Sequence, residues 1–153
     1  MNPQFLAEQF ILERPVEIRM EGWSMQPTLR ADDKAIVSQC EDSKKIRVGD
    51  LVAFRSAESN LICHRVMKIE SNDKGRIFTT KGDNNSFYDQ SFTEKQIFGI
   101  IIAYKRKNKE QDINSLKMRF LRFAFLYFDC LARKVFRIMD KMRSAIQKRI
   151  NLR

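Results

Sequence analysis

Gly22-Trp23-Ser24-Met25-Gln26-Pro27-Thr28-Leu29 holds a hydroxyl between a backbone-permissive glycine and a turn-locking proline. The stretch before it, Val16 to Glu21, alternates Val16, Ile18 and Met20 with Glu17, Arg19 and Glu21, a period of two that predicts a strand delivering Ser24 to its end. Taken alone, a serine beside a proline is an ordinary turn. Residues further along the chain give it chemistry: the single histidine lies in Ile62-Cys63-His64-Arg65-Val66, and Thr80-Lys81-Gly82-Asp83-Asn84-Asn85 comes next with a second acid at Asp89. A serine hydroxyl is a poor nucleophile at neutral pH unless a base lies within hydrogen-bond reach, and histidine, present only as His64, is the residue type whose ordinary pKa suits that role. Ser24, His64 and the acids at 83 and 89 supply a nucleophile, a base and two orienting carboxylates, the set that acyl transfer by serine requires.

Ser24-Met25-Gln26-Pro27-Thr28-Leu29, then Gly49-Asp50-Leu51-Val52-Ala53-Phe54-Arg55, then His64-Arg65-Val66, then Thr80 to Asn85 with Asp89 six residues after Asp83, resemble in content and order the signal peptidase I family of the LexA/signal peptidase superfamily. The histidine places the resemblance with the endoplasmic-reticulum and archaeal type, because most bacterial members carry lysine as the base. The boxes run from Gly22 to Asp89 and leave the flanks uncovered. The resemblance implies Ser24 as nucleophile, His64 as general base, Asp83 as acceptor from the other imidazole nitrogen and Asp89 as a supporting acid. It implies the Ser24 backbone N–H as oxyanion donor, Met25 at the border of the substrate cleft, and a structural role for Asp50. Some bacterial members place a serine two residues before the nucleophile as a second oxyanion donor, where this chain has Gly22. The implied substrate is an extended leader peptide ending in small residues, and the implied activity is that of a serine endopeptidase.

Charge divides the chain. Residues 1 to 114 hold 18 basic and 17 acidic side chains, whereas 115 to 153 hold 11 basic and 2 acidic, so nearly all of the net +10 belongs to the tail. Partners inferred from basicity therefore belong to the tail too. Cys40, Cys63 and Cys130 are odd in number and widely spaced, which suits neither a disulfide framework nor a zinc ligand set. One histidine, no Cys-x-x-Cys and no glycine-rich phosphate loop predict no metal and no cofactor. No window reaches the roughly 18 to 20 apolar residues of a bilayer span, and the amino terminus has no basic segment followed by an apolar core, so neither a span nor a leader is expected, a departure from the anchored members of the resembled family.

The pattern predicts a mainly β fold, a small barrel-like, coiled antiparallel peptidase domain over residues 1–106, with a short helix at 2–13 that Pro15 stops. Short strands are expected at Ala35 to Val37, after Gly49-Asp50, at Leu61 to Glu70 with His64, and at Ile77 to Thr80. Ile97 to Tyr104, dense in isoleucine, reads as a strand buried on both faces. Residues 107–114 read as a hydrophilic linker and 115–153 as a long basic amphipathic helix. In that helix Leu121, Phe125, Phe128, Ala132, Val135, Met139, Met142, Ile146 and Ile150 form one apolar stripe, with Arg122, Arg133, Arg137, Lys141 and Lys148 away from it. Such a helix suits an anionic membrane surface, and it equally suits packing on the barrel or on a second copy.

The leading expectation is a peripherally membrane-associated endopeptidase that removes signal or leader peptides, with a precursor as substrate, a membrane-anchoring partner or a homodimer as assembly, and no nucleic-acid partner. Two alternatives stand beside it. A non-catalytic peptide-binding module with a docking tail would have no reason to keep Ser24, His64 and Asp83 together. A LexA-like self-cleaving regulator would use a lysine base and a cleavable upstream segment, and about twenty residues precede Ser24 here.

Overall fold

Alternation in the strand before Ser24 reappears as alternating burial: in β1 (Val16–Arg19) the valine and isoleucine are half-buried and the glutamate and arginine exposed. The computed structural model describes residues 14–40, 42–73 and 75–131. The helix expected at 2–13 and the part of the tail after 131 lie outside the described residues. Seven further strands follow: β2 (Lys34–Ser38), β3 (Leu51–Arg55), β4 (Leu61–Asn72), β5 (Gly75–Lys81), β6 (Phe92–Thr93), β7 (Ile97–Arg106) and β8 (Lys109–Asp112). They form one curled antiparallel sheet in the order β1-β2-β7-β3-β4-β5-β6, a half-barrel, with β8 joined to β7. The mainly β, barrel-like expectation is met.

Two strands do most of the curling. β4 is twelve residues long; Leu61 to Arg65 pair with β3, Arg65 to Asn72 pair with β5, and a bulge between Val66 and Lys68 turns it from one partner to the next. β7 pairs with β2 along one edge, while its other edge is taken first by β3 and then by β8. Residues 109–112, expected within a linker, are thus a strand of the sheet. All four are exposed and polar, so backbone pairing rather than side-chain burial holds them there.

Apolar side chains collect on both faces. Leu51 and Ala53 of β3 pack in one cluster with Met25, Leu29, Ala35, Val37, Cys63 and Ile101, whereas Val52 and Phe54 pack in the other with Ile46, Val66, Phe78 and Phe92. β3 is buried on both faces, and so is the first half of β7, where Phe98 and Ile101 join one cluster and Ile97 and Ile100 the other; the expectation for β7 is corrected only at Ile102, which is 40% exposed. The first cluster is capped by the helix α1 (residues 116–131), whose Met118 is buried in it and whose Leu121 packs against it. α1 is docked further by polar ties. Arg122 donates to Asp50 Oδ1 at 2.9 Å and to the Val48 carbonyl at 2.7 Å, and the Phe125 ring lies 5.4 Å from the guanidinium carbon of Arg65.

In its described part the tail's stripe follows the alternative of packing on the barrel at Leu121 and Phe125, and the reading is corrected at Arg122 and at the exposed Phe128. Leu121 and Phe125 face the barrel, and Arg122 is directed to the domain rather than outward. The exposed face is a second one, Leu116, Phe120, Phe123, Tyr127 and Leu131, at intervals of four and three, with Phe128 beside it. No helix among the described residues is long and apolar enough to cross a membrane.

Candidate active site

Ser24 stands on the loop from Met20 to Asp33, whose ends are clasped by Met20 N–H to the Asp33 carbonyl at 2.8 Å and Asp32 N–H to the Met20 carbonyl at 3.0 Å. Gly22 takes φ of +76°, the left-handed region that glycine enters without a steric penalty, and turns the chain out of β1. The next turn winds inward: Leu29 N–H bonds the Met25 carbonyl at 2.9 Å, and both side chains are buried. Met25 is 2% exposed in the core, which corrects its placement at the border of a substrate cleft; it anchors the serine turn from below. Asp33 fastens the far end, accepting from Arg106 of β7 at 2.6 and 2.9 Å.

β4 presents two neighbouring side chains to opposite sides. His64 is buried, with Nε2 3.0 Å from Ser24 Oγ and Nδ1 2.6 Å from Asp89 Oδ2. With the proton on Nδ1 donated to Asp89, Nε2 is left as the acceptor for the serine hydroxyl. Asp89 lies on the loop between β5 and β6 and is fixed by its own N–H to the Thr80 carbonyl at 2.9 Å and by the Thr80 hydroxyl, which donates to Oδ2 at 2.7 Å. Burial pushes the Asp89 carboxyl up, but hydrogen bonds from His64 and Thr80 and the charge of His64 outweigh it and hold the group below the usual carboxylate range.

Arg65 is equally buried and has claimed the other acid. Its Nε and Nη2 each lie 2.7 Å from an oxygen of Asp83, its Nη1 donates to the Gly49 carbonyl at 2.8 Å, and the Thr28 hydroxyl also donates to Asp83. The expectation that Asp83 accepts from the imidazole is corrected: Asp89 holds that position, and Asp83 is saturated by Arg65 and Thr28. Asp83 still shapes the site, because Asn84 N–H reaches the Ser24 carbonyl at 2.8 Å. Gly82 makes that approach feasible, since a Cβ there would stand 2.7 Å from the same carbonyl oxygen. Asp50, read as structural, receives Arg122 and caps Arg47 N–H at 2.8 Å.

The sequence reading missed Arg65, Thr28 and Thr80. The signal for the first was present in His64-Arg65: on a strand, adjacent residues face opposite ways, so an arginine beside a buried histidine needs its own carboxylate on the other side. Lys81, the amine nearest the acid box, directs its ammonium to Asp129 of α1 at 3.0 Å. Among the described residues no group of three or more His, Cys, Asp or Glu is placed to hold a metal ion.

An open cleft of about 430 Å³ runs past Ser24 and His64, walled by Ile18 and Met20 on one side and by Leu61 and Cys63 on the other. Among the described residues, β1 pairs only with β2, and Leu61 to His64 pair only with β3, so each wall offers a strand edge with free backbone groups. Such edges can bind an extended peptide as an added strand.

The Peptidase S24-like family matches residues 11–102, a segment that contains every box read between Gly22 and Asp89. The chain is 28% identical over 102 residues to the signal peptidase complex catalytic subunit SEC11 of Yarrowia lipolytica, an alignment covering 60% of this chain and 58% of that protein. It is 29% identical over 68 residues to signal peptidase I W of Bacillus subtilis, covering 44% of this chain and 36% of that protein. The chain thus spans little more than half of the first relative's length and about a third of the second's. With more than half of its residues inside the match, the chain belongs to the Peptidase S24-like family.

Proposed function

We propose that the protein is a serine endopeptidase of signal-peptidase type that cleaves leader peptides from precursor proteins. The observation that carries the proposal is the line of hydrogen bonds from Ser24 Oγ through the His64 imidazole to Asp89 Oδ2. Ser24 Oγ attacks the scissile carbonyl as Nε2 takes its proton; Asp89 keeps the imidazole in the right tautomer and stabilises the imidazolium. The tetrahedral oxyanion is met by the Ser24 backbone N–H, a donor of the kind worth about 3 kcal/mol in the transition state. Collapse passes the proton to the leaving amine, and water admitted to His64 then hydrolyses the acyl-enzyme. The names of the two relatives support peptide-leader cleavage as the reaction.

Membrane association completes the reading: the exposed aromatic face of α1 lies in the interface, with Lys117 and Arg119 towards anionic headgroups. A self-cleaving regulator of the same family would call on a lysine base, and the engagement of Lys81 by Asp129 favours His64 instead. The test uses a fluorogenic leader peptide with alanine before the scissile bond and at the third position. Ser24→Ala and His64→Ala should each abolish cleavage, and the double variant should be no worse than either single one. Near wild-type turnover of His64→Ala would overturn the mechanism.

A further inference from the structure

Asp89 is tied to Thr80, and the start of its loop is held by the buried Gly82 and the buried side chain of Asp83, but the far end of that loop, next to Asp89, has little burial to hold it. Phe87 is 83% exposed, and Tyr88 keeps 40% of its surface in solvent. What meets the loop is Asp129 of α1, itself 8% exposed. Its Oδ1 accepts from Lys81 Nζ at 3.0 Å, and its Oδ2 accepts from the Tyr88 hydroxyl at 2.6 Å. Lys81 is the last residue of β5 and Tyr88 immediately precedes Asp89, so one carboxylate gathers both ends of the acid-bearing segment. The Lys81 ammonium also lies 5.4 Å from the centre of the Tyr88 ring, closing the trio.

We infer that Asp129 is a positioning residue for Asp89: by binding Lys81 and Tyr88 together it fixes the loop that presents Asp89 to His64. The inference rests on the proposed peptidase activity for its kinetic consequence. Its structural premise is that α1 is a firm support, and three independent contacts make it one: Met118 in the core, Arg122 on Asp50 and Val48, and Phe125 under Arg65. The same helix therefore covers the buried Arg65–Asp83 pair and clamps the loop that starts with Gly82 and Asp83. Site geometry depends on a segment forty residues beyond the last box.

The chain has a single histidine, so the imidazole N–H signals of full-length protein labelled with 15N-histidine report on His64 alone. Tyr88→Phe and Asp129→Ala should both weaken the hydrogen-bonded Nδ1–H signal. Both should lower kcat on the leader peptide by similar factors, on the order of 10- to 100-fold, as small misplacements of an orienting group do, with KM unchanged. The double variant should be no worse than the single ones, and Asp129→Asn, which keeps an acceptor for the phenol, should recover part of the loss. If Asp129→Ala does not fold, Tyr88→Phe, which removes one hydroxyl, decides the matter by itself. Tyr88→Phe with wild-type kcat and an undisturbed Nδ1–H signal would overturn the inference. A wild-type chain that cleaves no leader peptide would overturn the peptidase reading instead, and the imidazole signal, read without substrate, would still decide the tie.

Discussion

Arg65 grips both carboxylate oxygens of Asp83 at 2.7 Å, and the two side chains keep only 3% and 2% of their surface in solvent. One position earlier on the same strand, His64 faces the other way and meets Asp89. The two acids of one loop thus serve different ends: Asp83 neutralises a buried cation, and Asp89 orients an imidazole.

The first prediction separates them. Removing one partner of a buried pair leaves an uncompensated charge, so Asp83→Ala should cost about 3 to 5 kcal/mol of stability, and Arg65→Met combined with Asp83→Leu should recover much of it. Asp89→Asn should leave the chain folded while lowering kcat by about 10 000-fold. Chemical denaturation with parallel peptide assays checks both, and a stable but inactive Asp83→Ala would reverse the assignment.

Acid should reveal Asp89 in the stability of the fold. Its folded carboxyl titrates below the ordinary value of 3.8, so its contribution is fully present above that value and is lost as pH falls through the lower folded one. The stability advantage of wild type over Asp89→Asn should therefore be constant near neutrality and shrink below about pH 4. Urea midpoints measured from pH 7 to 2 check this. An advantage that grew on acidification would contradict the sign.

Cysteine labelling tests the packing beside the cleft. Cys63 is buried and its thiol is pushed up to about 12 by desolvation, while Cys130 on α1 is exposed and Cys40 is half-buried with a raised pKa. In native protein at pH 8, a thiol reagent should modify Cys130 first and Cys40 more slowly, with Cys63 reacting only after denaturation. Mass mapping of the labelled peptides gives the order, and fast labelling of Cys63 would show that β4 is not sealed as described.

The outer face of α1 can be examined without touching its inner face. Replacing Phe120, Phe123 and Tyr127 together by serine removes three exposed rings and none of the contacts to Asp50, Arg65 or Lys81. If those rings enter the interface, partitioning onto anionic vesicles should fall by at least about 100-fold, from partial burial of three aromatics. High salt should weaken wild-type binding only in part. Equal sedimentation of the triple variant and wild type would exclude this face as the membrane contact.

How much of the fold and site was legible in the sequence depended on whether the information was local. Alternation at Val16 to Met20 and the turn chemistry of Gly22 and Pro27 are local, and they marked the first strand and the turn after it on which Ser24 lies. The box around His64 placed the imidazole. The choice between Asp83 and Asp89 was not local, because it depends on which face of β4 each neighbour occupies and on how the loop after β5 folds back. Met25 was misplaced because adjacency to Ser24 says nothing about the direction of the next turn. β8 carries no apolar alternation at all, so its pairing with β7 left no mark in the pattern. In the tail, periodicity identified a helix correctly over 116–131 but could not tell which of two apolar faces meets protein.

Ser24 and His64 are 40 positions apart, His64 and Asp89 another 25, and none shares a secondary-structure element with another. Bringing them together requires that most of the sheet has already closed, a state of high contact order that is reached late in folding. The proposed catalytic constellation is thus a product of the folding transition itself. Recovery of turnover during refolding should report completion of the native sheet, and a chain still emerging during synthesis has no competent site until β7 has joined β2 to β3.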